Sequence, residues 1–212
     1  IVLLARLINR RLHETGAQLA SLTGGSKDNA IPRETEAVLV VSEGEAEKAV
    51  SIAEALADNF SAEICPFEPD FACTIAVQDG TASVLSQEDA KAFVSAICLA
   101  PNGVRCRNLK QDGFVVTSLN LGVAKMDETS ASLTYAPRSS VTSLQEDTKE
   151  RLFLLAETFG FACNITGEYP GWSFAEQSKI RDTFTASYEA LFGAPLQIEA
   201  IHAGLECGLF SD

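Results

Sequence analysis

The chain has 212 residues, of which 46% are hydrophobic and 21% are charged, as expected for one large globular domain or two small ones. Its formal net charge of −13 repels phosphate backbones, which argues against nucleic acid as a partner. No stretch approaches the roughly 20 consecutive apolar residues that cross a bilayer, so the sequence also argues against a membrane partner.

Five helices are predicted from apolar residues at helical spacing and from residues that favour helix ends. The first carries Leu3, Leu4, Leu7, Ile8 and Leu12 on one face. The other four are expected to begin at Ser42 with Glu45, at Ser86, at Ser143 with Glu146, and at Ser173 with Glu176. Gly160 and Gly193 are typical stop signals for the last two. The apolar face of each helix must pack against other apolar residues, and a sheet is the simplest element to provide them.

Seven strands are predicted between these helices from their apolar and β-branched residues. They are Ala17–Thr23, Thr35–Val41, Ala72–Gln78, Phe114–Lys125, Ser130–Arg138, Phe161–Thr166 and Leu196–Ile201. Residues 61–71 and 100–113 are rich in proline and glycine and are expected to be connections.

The order of these elements repeats as α-β-β-α-β, once in residues 1–80 and again in residues 86–167. This repetition predicts an α+β fold built from two tandem ferredoxin-like halves, with an antiparallel sheet and its helices on one face. The helix and strand after residue 168 lie outside the repeat.

The six cysteines and two histidines do not form a metal-binding pattern. The cysteines are Cys65, Cys73, Cys98, Cys106, Cys163 and Cys207, and the histidines are His13 and His202. A zinc site needs three or four ligands at close spacing, and no such cluster is present. We therefore expect no metal ligands and no catalytic residues in this chain, and free, reduced thiols in the cytoplasm.

Gly24, Gly25, Asn29 and Arg33 lie in a segment rich in turn-forming residues. A glycine pair near Lys27 is compatible with phosphate binding, but no GxxxxGK[ST] or GxGxxG motif is present. A hairpin turn is the better interpretation. The sequence also contains no GxSxG motif for a serine nucleophile.

Five short segments in this order resemble one family. They are GGSKDNAIPRE (24–34), APNGV (100–104), VVTSLNLGVAKM (115–126), YPGW (169–172) and IHAGLECGLF (201–210). Together they closely resemble the bacterial aminoacyl-histidine dipeptidases, also called Xaa-His dipeptidases, within the aminoacylase- and carnosinase-like di-zinc metallopeptidases.

The resemblance implies a two-domain enzyme in which two zinc ions activate water and a lid domain closes over a dipeptide substrate. Residues 1–167 would be the lid, and residues 168–212 the helix and strand that return to the catalytic domain. The metal-ligand motifs of the family are absent from this chain. The chain starts at Ile1 without a methionine and ends at Asp212 directly after an apolar segment, so we expect a fragment. Its partners would be the dipeptide, its own catalytic domain and, as an open alternative, a second copy.

Four residues are candidates for substrate binding. Arg138 stands where the family's lid has an arginine for the substrate carboxylate, which a guanidinium can grip through two hydrogen bonds. The alternative is a solvated arginine at a strand end. Asn120 lies in mid-strand, where asparagine is disfavoured, and substrate contact and a solvated sheet face are both open.

His202 and Glu206 belong to a segment that aligns with a substrate-lining loop of the family. Glu206 could bind the amino group or the imidazole of a dipeptide, whereas His202 could equally be an exposed residue at a strand end.

One alternative from another class stays open. The chain could be a free-standing α/β module that binds a small ligand or only dimerises. Composition and periodicity do not separate these two hypotheses, whereas zinc-ligand motifs on both sides of this segment in the gene would support the dipeptidase.

Overall fold

The computed structural model describes residues 1–110, 113–127, 129–168, 170–171, 175 and 177–198, with the backbone alone for residues 11–13. Its helices are α1 (Val2–Glu14), α2 (Ala46–Ile64), α3 (Gln87–Leu99), α4 (Thr142–Phe159) and α5 (Lys179–Phe192). Its strands are β1 (Gln18–Gly24), β2 (Thr35–Val40), β3 (Gly103–Asn108), β4 (Phe114–Met126) and β5 (Ala131–Ser139). Within the described residues, no helix has both the length and the apolarity to cross a bilayer.

The strands form one antiparallel sheet in the order β2-β1-β4-β3, with β5 also paired to β4. The 13-residue strand β4 thus pairs with three others. Gly24 of β1 lies opposite Ala124, while Gly103 of β3 lies opposite Leu119. The α+β class and the antiparallel sheet predicted from the sequence are confirmed, whereas the ferredoxin-like arrangement of two halves stays a prediction.

The described residues form two compact units that divide β4 and β5 between them. Unit 1 comprises Ile1–Pro101, Asn120–Ala136 and Leu152–Ala162. Unit 2 comprises Asn102–Leu119, Pro137–Arg151 and Cys163–Asp212.

The core of unit 1 lies between helices α1 and α3 and one face of the sheet. Its fully buried members include Ile8 of α1, Phe93 of α3 and Leu22 of β1, each at most 2% exposed. Helix α2 packs on α1 through a second cluster of Leu7, Ala53, Leu56 and Phe60. Burial of these apolar side chains is the main stabilising contribution, at about 25 cal/mol for each Å² removed from water.

Strand β1 of this core contains an irregularity that changes which residues face the core. Leu19 and Leu22 are both fully buried, although side chains three residues apart point to opposite faces of a regular strand. The pairing of β1 with β2 shifts between Leu19 and Ser21, which accounts for the change. Leu121 and Ala124 of β4 belong to the same core.

Unit 2 is held by polar as well as apolar contacts. Thr117 and Thr148 are buried polar residues, 2% and 4% exposed. The Thr117 hydroxyl lies 2.9 Å from the Ser139 hydroxyl, which donates to the Val141 carbonyl at 2.9 Å. Lys149 of α4 forms ion pairs with Glu146 and Glu168. Buried polar groups with hydrogen-bond partners avoid the cost of desolvation.

All five predicted helices are present, but their starts differ from some of the predicted ones. Ser86 caps α3 as expected, since its Oγ accepts from the Asp89 N–H at 3.0 Å. Ser42 makes no side-chain cap bond, because a 3₁₀ turn at Glu43–Glu45 precedes α2. Helix α4 begins at Thr142, one residue before Ser143. Helix α5 is capped by Ser178 and ends before Gly193, while Ser173 and Glu176 lie outside the described residues.

Three strand predictions were wrong or incomplete. Residues 72–78 form no strand; Ile75 instead packs against the α1–α2 cluster from an irregular segment. Residues 161–166 form no strand either, and beyond Phe161 they are exposed. Residues 196–198 are irregular, and 199–201 lie outside the described residues. Gly103–Asn108, expected to be part of a connection, is β3.

The β4–β5 hairpin is closed by the side chain of Asp127. Its carboxylate accepts hydrogen bonds from the backbone N–H groups of Thr129 and Ser130 and from both their hydroxyls. These four bonds stabilise the charged form and lower the pKa of Asp127 to about 2.

Tyr135 of β5 contributes its ring to the core of unit 1, and burial raises the pKa of its phenol. Its hydroxyl is buried and makes no hydrogen bond to any described residue. A buried polar group without a partner carries the desolvation cost with no compensating bond.

We expect Tyr135→Phe to leave the free energy of unfolding unchanged or to raise it by about 1 kcal/mol, because the change removes an unpaired polar group and keeps the ring. Urea unfolding measures this difference. Tyr188→Phe on the exposed helix α5 is the control and should change nothing. A loss above about 1 kcal/mol in Tyr135→Phe would mean that the hydroxyl has a partner after all.

Candidate functional site

The loop Gly25–Glu34 of unit 1 packs on the face of β4 that points away from the helical core. Leu121 points into the core, so its neighbours Asn120 and Gly122 point to the opposite face. Both of these residues contact the loop. Two of the segments that carry the family resemblance, 24–34 and 115–126, therefore meet here.

The side-chain amide of Asn120 forms hydrogen bonds to the backbone of the loop. Its Nδ2 donates to the Asp28 carbonyl at 2.9 Å and to the Ala30 carbonyl at 2.8 Å. The two N–H groups of one amide are thus used on two backbone carbonyls that flank Asn29. Because these partners are 92 and 90 residues away in the sequence, the amide ties together distant parts of unit 1.

Two glycines let the loop backbone approach the strand. A Cβ at Gly122 would lie 2.3 Å from the Asp28 carbonyl oxygen, and a Cβ at Gly25 would lie 1.9 Å from the Gly122 carbonyl oxygen. Gly25 also has a φ of +75°, which side chains with a Cβ rarely adopt. Only glycine fits at these two positions without displacing backbone.

The loop is ordered by further bonds although most of it is exposed. Gly25 donates its N–H to the Glu34 carbonyl at 3.3 Å, and Asn29 donates its N–H to Asp28 Oδ1 at 2.8 Å. Lys27, Ile31 and Arg33 are exposed, with Ile31 at 84%. Asp28 and Glu34 are exposed as well, so the loop presents side chains of both charges and an apolar one from a fixed backbone. The predicted hairpin turn is confirmed, since the segment joins β1 to β2.

Asn120, a candidate for substrate contact, is partly exposed. Both of its N–H groups are already engaged by the loop, so donation to a ligand would require the loop to leave. Substrate contact by Asn120 stays a prediction, while its contact with the loop is established by these two bonds.

Arg138 lies near the end of β5 in unit 2 and is partly exposed. The backbone around it is well anchored. Ser139 bonds to Thr117 and to Val141 through its hydroxyl, and the Ser140 N–H donates to the Val116 carbonyl at 3.1 Å. The strand runs through Pro137 without a break. The backbone that carries the Arg138 guanidinium is therefore fixed, which suits recognition of a carboxylate.

The segment that contains Gly171 packs against the same strand end. A Cβ at Gly171 would lie 3.2 Å from the backbone of Ser140 and of Thr142. The approach is close enough that glycine is the natural residue. Tyr169 and Trp172, which flank this position, lie outside the described residues.

His202 and Glu206 lie outside the described residues, as does Cys207. The other five cysteines are free thiols. Burial raises the pKa of the Cys98 thiol, which keeps it protonated and unreactive. Within the described residues, no three His, Cys, Asp or Glu side chains are grouped so that they could hold a metal ion.

The structure thus assigns Asn120 to unit 1 and Arg138 to unit 2, each with its own surroundings. The sequence alone did not reveal that Gly25 of the loop packs against β4, or that Gly122 of β4 packs against the loop. The available signal was weak: a glycine in the middle of a strand marks a close approach of another backbone, but does not say which one.

No protein-family model matches the sequence. The chain is 29% identical over 208 residues to the cytosol non-specific dipeptidase of Escherichia coli (strain K12), covering 98% of this chain and 43% of that protein. It also matches the crystal structure of the aminoacylhistidine dipeptidase from Vibrio alginolyticus, with a TM-score of 0.85 and 31% identity over 98% of this chain and 42% of that one.

Both relatives are dipeptidases, which are hydrolases. The resemblance to the aminoacyl-histidine dipeptidases is confirmed: almost the whole chain is similar to one part of such proteins. The chain spans about two fifths of the length of the relatives that it matches.

Gly25→Ala should lower the free energy of unfolding more than Gly113→Ala. Both glycines have a φ of +75°, but only Gly25 has backbone within contact distance of a new Cβ. We expect the strain of positive φ to cost about 1–2 kcal/mol at either position. Overpacking should add a further 1–3 kcal/mol at Gly25. Urea unfolding of both variants checks this, and equal losses would show that the loop yields without cost.

Proposed function

We propose that this chain is part of a metal-dependent dipeptidase that hydrolyses Xaa-His dipeptides, and that residues 1–167 act as the lid over the substrate. The observation that carries the proposal is the TM-score of 0.85 over 98% of the chain with the aminoacylhistidine dipeptidase of Vibrio alginolyticus. A global likeness at 31% identity supports more than a shared fold class. The substrate class comes from the name of that relative.

The role that we propose for the lid is to bind the substrate's terminal carboxylate through Arg138. The anchored end of β5 supports it, because a guanidinium is effective when its backbone is fixed and its ordering cost is small. Lid closure would also exclude water, which strengthens a charge-assisted pair. His202 and Glu206 stay candidates for binding the remainder of the dipeptide.

The proposed catalytic metal is zinc, held outside the described residues. These residues do not fit a zinc site, since they offer no group of three ligands. When bound, a pair of zinc ions would activate water for attack on the peptide bond.

We propose that residues 168–212 belong to the catalytic domain. Helix α5 supports this division, because none of its residues is buried. Ile180, Phe184 and Leu191 are 72%, 66% and 78% exposed and follow one another at helical spacing. An apolar face of this size is normally covered by protein. The matched relatives are more than twice as long as this chain, so the rest of the parent protein is the natural cover.

A cytoplasmic location is proposed by analogy with the cytosolic relative from Escherichia coli. A homodimer is a further proposal for the parent protein.

In the complete protein that carries this chain, Arg138→Ala should raise KM strongly for Xaa-His dipeptides, with a loss of about 2–4 kcal/mol in kcat/KM. Loss of a charge-assisted pair to the substrate carboxylate is the physical reason. Arg105→Ala, an exposed arginine on β3 of the same unit, is the matched control and should leave the kinetics unchanged. Unchanged kinetics in Arg138→Ala, with circular dichroism like that of the parent, would remove Arg138 from the site.

A further inference from the structure

We propose that Asn120 is a positioning residue: it fixes the loop Gly25–Glu34, and the loop, rather than Asn120, faces the ligand. The involvement of the loop with a ligand rests on the proposed function. The positioning role rests on the contacts within unit 1 alone.

The Asn120 amide has two N–H groups, and both are used on the Asp28 and Ala30 carbonyls at 2.9 and 2.8 Å. These carbonyls belong to the turn of an exposed loop, where backbone groups would otherwise bond to water. A side chain that satisfies both therefore selects one conformation of the turn.

The steric fit between loop and strand supports the same role independently. The Asp28 backbone lies where a Cβ on Gly122 would be, and Gly25 lies against the Gly122 carbonyl. The loop backbone thus packs directly on β4, because neither Gly122 of the strand nor Gly25 of the loop has a side chain, and Asn120 lies beside this contact. Hydrogen bonds and close packing act on the same three residues of the turn, 28–30.

Lys27, Ile31 and Arg33 are exposed on a backbone that is held at several points, and so are Asp28 and Glu34. Charged side chains of both signs and an apolar one on a fixed loop are suited to a ligand that itself carries both charges, as a dipeptide does. Pre-ordering of such a loop removes the entropy cost of arranging it at binding.

The test uses two variants of the complete protein that release the loop in different ways. Asn120→Asp keeps the shape but replaces two donors with an acceptor that faces two carbonyls. Gly122→Ala keeps Asn120 and inserts a Cβ at the position of the Asp28 backbone. Gly80→Ala is the control, because a Cβ there meets nothing within 4 Å.

The first readout is cleavage by trypsin after Lys27 and Arg33 under native conditions, analysed by mass spectrometry. We expect both variants to be cut there about ten- to a hundredfold faster than the parent and the Gly80→Ala control, because local opening becomes easier. Lys91 on the buried helix α3 is the internal reference, and cleavage after it should stay slow. Cleavage after Lys27 at the parent rate in Asn120→Asp would overturn the positioning role.

The second readout is kcat/KM for the dipeptide. A loss in both variants, carried mainly by KM, supports the role of the loop. Lost activity in Asn120→Asp with a loop that still resists trypsin would mean that Asn120 contacts the substrate itself, and overturns the inference. A released loop with unchanged kinetics overturns the part that links the loop to the ligand. If the parent protein cleaves no dipeptide, the proposed function fails, while the trypsin result still decides whether Asn120 positions the loop.

Discussion

The second half of β4 packs against the helical core on one face and against the loop Gly25–Glu34 on the other, within a few residues. On one face Leu121 and Ala124 are buried against helices α1 and α3, and on the other Asn120 and Gly122 hold the loop after β1. Strand alternation accounts for Asn120, Leu121 and Gly122, which point to alternate faces. One strand thus provides both a face of the core and a surface for the loop.

The contacts on the loop side differ in kind from those in the core. The core is stabilised by removal of apolar surface from water, which tolerates other side chains of similar volume. The loop side depends on two glycines without side chains and on one amide with two donors, and none of these has an equivalent substitute. A loop that recognises a small ligand needs a defined conformation, and specific contacts of this kind supply one.

The predictions from sequence succeeded where a pattern is local. Apolar spacing placed all five helices, and alternation placed β1, β2, β4 and β5 within one or two residues. The strand β3 was missed because its short alternation of Val104 and Cys106 with two arginines lies in a segment, residues 100–113, whose proline and glycines indicate a connection. Its pairing with β4 makes it a strand. Residues 72–78 do alternate, but no neighbour pairs with them. An extended segment without a partner has the same sequence pattern as a strand.

The candidate site was accessible from the sequence only in part. The resemblance identified the segments that contain Asn120 and the loop, but not that they touch, since the bonded residues are about 90 positions apart. The asparagine in mid-strand was a visible anomaly, and its cause is the loop. Arg138 was located from the resemblance, and the structure adds the hydrogen-bonded strand end beneath it.

The most direct measurement compares two substrates of the complete protein: an Xaa-His dipeptide and the same dipeptide with its terminal carboxylate converted to an amide. The two differ only in the group that the lid arginine is proposed to bind. Hydrolysis of the free dipeptide, with the amide cleaved at least about a hundredfold more slowly in kcat/KM, is the predicted result. Cleavage of both at similar rates, or of neither, would contradict a dipeptidase whose lid recognises the substrate's carboxylate.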